Sequence, residues 1–137
     1  MVEQQQEQLM IQETQKIKSK IVNIHTLKHP NMELAITIFY DGNMFVYDLN
    51  DKSLFFHSKI TENENETFVT SSHLDHSSSL LYVGSSNGFL YRTHITSKTP
   101  FGPISVCQNS VSSISQIGKY LFIFYFYFLF LIFVFIK

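Results

Sequence analysis

Residues 34–49 read LAITIFYDGNMFVYDL, and this stretch decides the predicted fold class. β-Branched and aromatic residues dominate on both sides of Asp41-Gly42, a composition that favours strands. An Asp-Gly pair between two such runs is a strong signal for a β-hairpin, because both central residues of a type I′ turn must adopt positive φ. We therefore predict two antiparallel strands that turn at positions 41 and 42.

The same arrangement recurs 46 positions later, where residues 80–95 read LLYVGSSNGFLYRTHI and Asn87-Gly88 occupies the turn. Short β-rich runs flank both hairpins, at 21–27 and 53–59 for the first and at 67–72 and 103–107 for the second. Four strands per unit with a period in the forties are typical of propeller blades. A third unit begins at Val111 and repeats the order of the first two.

This pattern resembles the WD-repeat class of β-propellers over roughly residues 21–121. The resemblance is carried by the two turns and by Tyr47-Asp48, where the family often has Trp-Asp. The chain has no Trp and no Gly-His dipeptide, and the second unit has Thr93-His94 in place of aromatic-Asp. The resemblance implies an all-β partial propeller, with two four-stranded antiparallel units and the start of a third, that binds protein partners.

The number of units raises a question of closure. Propellers close with about four to eight blades, whereas residues 21–119 supply two units and the start of a third. We therefore expect the repeats to oligomerise, to pair with another protein, to leave open strand edges, or to be a fragment of a longer propeller protein. Open edges invite further strand pairing.

The two ends of the chain differ in composition from the repeats. Residues 1–20 are rich in Gln and Glu, which predicts a polar helical extension with no signal-peptide core. Residues 120–136 contain no charge, Gly, Pro or Ser. Such a run is at the short end of the length that spans a bilayer as a helix, and we predict a transmembrane helix there. The alternatives are buried strands, or a tail translated from A/T-rich sequence outside the native reading frame.

Chemistry-bearing residues are present but sparse. Of six histidines, the densest cluster is His73-Leu74-Asp75-His76, which lies in a Ser-rich stretch without a second donor cluster. Asp41, Asp48 and Asp51 fit turn and strand-cap roles. The lone Cys107 fits a small buried thiol. We therefore expect no catalytic residues, no metal site, no cofactor and no small-molecule substrate.

Together these patterns predict a non-catalytic protein–protein interaction scaffold. The net charge of −1 provides no electrostatic footprint for nucleic acid. The alternative is a small tail-anchored membrane protein whose function depends mainly on residues 120–136. The expected location is at a membrane with the β region in the cytosol, or in the cytoplasm if the tail arises from an erroneous gene structure.

Overall fold

The computed structural model describes residues 3–6, 20–61, 67–125 and 128–133. Residues 3–6 are helical, and the rest of the predicted N-terminal helix lies outside the described residues. The remainder of the described chain is built from β-strands. These are β1 Ile21–His29, β2 Met32–Phe39, β3 Asn43–Asp48, β4 Ser53–Lys59, β5 Val69–Asp75, β6 Leu80–Ser85, β7 Phe89–His94, β8 Thr99–Ser105, β9 Ser113–Ile117, β10 Tyr120–Tyr125 and β11 Phe128–Phe133.

The strands form three antiparallel sheets in chain order. Sheet 1 contains β1 to β4, sheet 2 contains β5 to β8, and sheet 3 contains β9 to β11. The first strand of sheet 2 contacts the first strands of both other sheets, so the three sheets stack around a common inner edge. The protein is a partial β-propeller, as the repeat pattern predicts, with two four-stranded blades and a third sheet of three described strands.

Backbone hydrogen bonds between strand ends repeat with the 46-residue period of the sequence. The amide of Ile60 donates to the carbonyl of Gly42 at 2.7 Å, and in sheet 2 the amide of Val106 donates to the carbonyl of Gly88 at 2.9 Å. Leu49 likewise donates to Glu33, and Ile95 to Ser79, both at 2.9 Å. Sheets 1 and 2 are therefore two copies of one structural unit.

The turns at the two Gly positions differ in type from the prediction. Gly42 and Gly88 have positive φ, at 91° and 83°, but Asp41 and Asn87 do not. The prediction of a type I′ turn is therefore wrong, because such a turn needs positive φ at both central residues. Instead, the amide of Gly42 donates to the carbonyl of Phe39 at 3.0 Å, which closes a three-residue loop with the glycine in the left-handed region.

The core lies between the sheets. Leu34, Ile36 and Ile38 alternate along β2 and point towards sheet 2, where Leu81 and Val83 meet them in a single buried cluster. A second cluster joins the other face of sheet 2 to sheet 3. It contains Tyr82, Leu90, Val106, Val111, Leu121 and Ile123. Sheet 2 therefore has apolar side chains on both faces, and each face is covered by a neighbouring sheet.

The predicted C-terminal helix is not found. Within residues 120–136 the described part consists of β10 and β11, which pair with each other across Tyr125 and Phe128. Leu121 and Ile123 are fully buried against sheet 2, so this apolar run continues the third blade. Among the described residues no helix has the length and apolar character needed to cross a membrane. Strand β8 also begins earlier than the predicted run 103–107.

We expect Gly88→Ala to lower the free energy of unfolding by about 2 kcal/mol, because the residue holds a left-handed conformation and has no room for a side chain. A Cβ at this position would collide with the carbonyl oxygen of Cys107. Urea denaturation followed by circular dichroism measures the change. Gly102→Ala is the matched control, since a Cβ there meets no atom within 4 Å. Equal losses in both variants would contradict the argument.

Leu81→Ala should cost about 2–5 kcal/mol of stability, because it opens a cavity in the cluster between sheets 1 and 2. Leu81 is 0% exposed, whereas Phe101 on strand β8 is 44% exposed. We therefore expect Phe101→Ala to change stability by no more than about 1 kcal/mol. Denaturant midpoints of the two variants test this, and a large loss for Phe101→Ala would mean that strand β8 packs against something further.

Candidate functional site

Polar side chains connect the innermost strands of neighbouring blades. On β1, Asn23 Nδ2 donates to Ser72 Oγ of β5 at 3.0 Å, and His25 Nε2 lies 2.7 Å from the same oxygen. Because Ser72 Oγ accepts from Asn23, it can donate its own hydrogen to a neutral His25. These contacts join sheets 1 and 2 close to the inner edge.

Hydrogen bonds between polar side chains also connect sheets 2 and 3, through different residues. His73 Nε2 lies 2.9 Å from Gln116 Oε1, while Gln116 Nε2 donates to Asp75 Oδ2 at 3.2 Å. Burial on its own would raise the pKa of Asp75, but hydrogen bonds from Ser78, Ser77 and Gln116 outweigh it and lower that pKa. Asp75 is therefore a charged anchor for its own turn and for the inner strand of sheet 3.

His25 and Ser72 have the spacing of a base and a nucleophile, so a catalytic role needs consideration. A working pair of this kind needs a third group that orients the imidazole, and a site for the reacting atom. Within the described ranges no carboxylate is hydrogen-bonded to the His25 ring, and Ser72 already accepts a hydrogen bond from Asn23. The geometry is that of an interblade connection.

The six histidines do not gather into one site. His25 interacts electrostatically with His73 and His76 near the inner edge. His57 contacts Asn43 Oδ1 at 2.9 Å on the outer strand, and His94 contacts Ser97 Oγ at 2.7 Å in a turn. In the part of the chain that the structure describes, no group of three or more His, Cys, Asp or Glu side chains has a metal-binding arrangement.

Asp41, Asp48 and Cys107, three of the residues considered in the sequence, have local contacts. Asp41 accepts from the amide of Asn43 at 3.0 Å, and Asp48 accepts from the amides of Asn50 and Asp51 at 3.0 and 3.2 Å. These are the predicted turn and strand-cap roles. Cys107 is half-buried, and not fully buried as expected, and its Sγ contacts the carbonyl of Asn109 at 3.0 Å.

A cleft of about 340 Å³ opens between sheets 1 and 2 at their outer side. We call it the interblade cleft, and it is lined by residues 58–60 at the end of β4, 91–93 of β7 and 100–103 of β8. Lys59 and Arg92 are the charged residues of this lining, which contains no Asp or Glu. Tyr91 and two prolines give it rigid apolar surface.

The cleft is bordered by strand β8, the outermost strand of sheet 2. Apart from Ile104, its side chains are exposed, and Pro100 and Pro103 interrupt the amide row along the strand. Proline on an edge strand limits uncontrolled pairing with other chains. Sequence reasoning missed this site because it placed the strand at 103–107. The Pro-Phe-Gly-Pro spacing is the signal that indicates an edge strand here.

Comparison with known proteins supports the fold. No protein-family model matches the chain, and no curated protein matches it in sequence. The chain is similar in structure to a chain in the crystal structure of the mitotic checkpoint complex, with a TM-score of 0.55 and 19% sequence identity. The match covers 77% of this chain and 36% of that one, so the chain spans about a third of that relative's length. At this identity the similarity concerns the fold alone.

Stability should fall as the pH drops below 6.5, the ordinary pKa of histidine, because burial, with His73 and His76 nearby, lowers the pKa of His25. Below pH 6.5, His25 is protonated more readily in the unfolded chain than in the folded chain. The contribution of neutral His25 to the free energy of unfolding is therefore present above pH 6.5 and is lost as the pH falls towards the lowered pKa of the folded state. We expect His25→Gln to flatten this part of the profile, measured by urea midpoints between about pH 5 and pH 8. His57→Gln is the control, and equal flattening there would contradict the assignment.

Proposed function

We propose that this protein is a non-catalytic protein–protein interaction scaffold that presents the interblade cleft to an extended segment of a partner protein. The observation that carries the proposal is the cleft itself, which combines an exposed edge strand, an aromatic side chain and prolines on a rigid support. Because Pro100 and Pro103 limit backbone pairing along β8, we expect side-chain contacts within the cleft to bind the segment, as in aromatic-lined grooves that recognise extended peptides. The structural relative belongs to a multi-protein complex, which is consistent with such a role.

The WD-repeat class is our proposal for the kind of propeller. Its support is the pair of glycine turns, the 46-residue period and the Tyr47-Asp48 dipeptide. The Tyr47 side chain is 42% exposed, and Asp48 caps the following turn. Asp41 also takes part in a small network, since Asn43 Nδ2 donates to its carboxylate at 2.8 Å and His57 contacts Asn43 Oδ1. Asp41 is thus connected to strand β3 directly and to strand β4 through Asn43 and His57.

The composition of the cleft favours a particular partner chemistry. Lys59, an exposed residue, belongs to the lining of the cleft, and this lining contains no carboxylate. A segment that places a carboxylate beside an apolar side chain would pair with Lys59 and pack on Tyr91 and Pro103. Single exposed ion pairs contribute little, so we expect the apolar contact to supply most of the affinity and the charge to set orientation.

We propose a cytosolic location for the β region. Membrane association through residues 120–136 would require this segment to leave sheet 3, whose side chains Leu121 and Ile123 are buried against sheet 2. Removing these side chains from the cluster would expose the apolar surface of Leu90 and Val111, at about 25 cal/mol for each Å². This cost favours the scaffold over the tail-anchored alternative.

Gly102→Trp should weaken partner binding strongly while the fold is retained. The glycine lines the cleft, and a side chain there meets open space, so the indole would occupy the volume that a bound segment needs. A random peptide library displayed on phage, selected against the wild-type chain, provides the probe. We expect the selected peptides to lose at least about tenfold in affinity for Gly102→Trp, as for a blocked central contact.

Leu54→Trp is the matched control, because it adds an exposed indole to strand β4 outside the cleft. Its affinity for the selected peptides should equal that of the wild type. Lys59→Glu should weaken those peptides that carry carboxylates and leave the others unchanged. The proposal fails if no peptide is selected, or if Gly102→Trp and Leu54→Trp bind the selected peptides equally well.

A further inference from the structure

Among the described residues, the stack of three sheets has an uncovered face at each end. The front face is the side of sheet 1 that points away from sheet 2, and two cross-strand rows form its centre. The first row is Ile24, Thr37, Phe45 and His57, and the second is Thr26, Ala35, Tyr47 and Leu54. Neither row contains a charged carboxylate, ammonium or guanidinium group. Lys28 and Glu33 pair in the next row of the same face.

Aromatic side chains form the centre of the front face. The ring of Phe45 stacks on that of His57 at 4.4 Å between centroids, meets Phe39 edge-on at 5.6 Å and lies 6.4 Å from Tyr47. Ile24 at the inner strand is 58% exposed and Tyr47 is 42% exposed. An apolar face of this size on a sheet marks an interaction surface.

The front face occupies the same place in its blade as a covered face of sheet 2. Ala35 and Thr37 correspond, through the 46-residue period, to Leu81 and Val83. Those two residues are 0% and 1% exposed because sheet 1 lies on them. The position that receives a neighbouring sheet in blade 2 therefore receives none from the described residues in blade 1.

The back face is the side of sheet 3 that points away from sheet 2. Along β10, Leu121 and Ile123 face sheet 2 and are fully buried, whereas the alternate side chains of Tyr120, Phe122 and Phe124 point the other way. Tyr120 and Phe124 are 40% and 39% exposed, and Ile117, opposite Tyr120 on β9, is 68% exposed. This face is the counterpart of the side of sheet 2 that sheet 3 covers.

We propose that a second copy of this chain covers both end faces, with the front face of each copy seated on the back face of the other. The contact continues the two sheet-on-sheet interfaces already present inside the chain. One copy supplies both complementary faces, and two copies of the three described sheets place six sheets in one ring, within the four to eight blades of closed propellers. Head-to-tail contacts of this type form a closed ring when the rotation allows it.

The area of the end faces suffices for a stable pair. A face of three or four strands, spaced about 4.8 Å apart and about 20 Å long, covers roughly 300–400 Å². Closing the ring covers four such faces, so the total lies between about 1,200 and 1,600 Å², within the range of stable, specific interfaces. The two central front rows carry no charged group, so the desolvation cost of charge falls only on the neighbouring row of Lys28 and Glu33.

The test is the solution mass of the full 137-residue chain by light scattering coupled to size exclusion. We expect twice the 16.0 kDa of one chain. Tyr47→Asp places a carboxylate in the front face and Tyr120→Asp places one in the back face, and each variant should weaken dimerisation at least about tenfold. Phe101→Asp is the control, since Phe101 is 44% exposed but belongs to the middle blade. Circular dichroism verifies that all variants are folded.

Mixing the two variants distinguishes the proposed pairing from a face-to-face dimer. An equimolar mixture of Tyr47→Asp and Tyr120→Asp retains one intact front face and one intact back face, so it should form a 1:1 pair that neither variant forms alone. The proposal is overturned if the wild-type chain is a monomer or an open series of larger species. It is also overturned if only one variant affects the dimer, or if mixing restores nothing.

Discussion

The packing of one β-sheet on another is the interaction on which this structure depends. Side chains alternate between the two faces of a strand, and in sheet 2 both sets are apolar. Leu81 and Val83 require sheet 1, while Tyr82 and Leu90 require sheet 3. No blade of this kind buries the apolar side chains of both its faces alone, so each blade depends on its neighbours for stability.

The contacts between neighbouring blades change in type with distance from the inner edge. Where the inner strands approach most closely, hydrogen bonds such as those of Ser72 and Gln116 connect neighbouring blades. The middle strands pack through aliphatic side chains. At the outer side the blades diverge, and the space left between β4 and the pair β7–β8 is the interblade cleft. The proposed binding site is thus a geometric consequence of how the sheets stack.

Residues 120–136 show that hydrophobicity alone does not distinguish a membrane helix from buried strands. Residues 120–136 read as a membrane helix because a continuous apolar run has no period that separates a helix from a doubly buried strand. The structure has two strands there. Leu121 and Ile123 pack against apolar side chains of sheet 2. Aromatic and β-branched residues also favour the pleated surface of a sheet. The sequence between β10 and β11 contains no Gly, Pro or Asn that would indicate a break between two strands.

The sequence by itself determined the repeat, its period and the positions of the tight turns, because these depend on local alternation and on glycine at 42 and 88. It also predicted the capping roles of Asp41 and Asp48, which involve neighbours two or three residues away. Only the tertiary structure decided that β10 and β11 are strands, that His25 faces Ser72, and that residues 58–60 and 100–103 line one cleft. Each of these depends on contacts between residues far apart in the chain, for which a single sequence contains no local pattern.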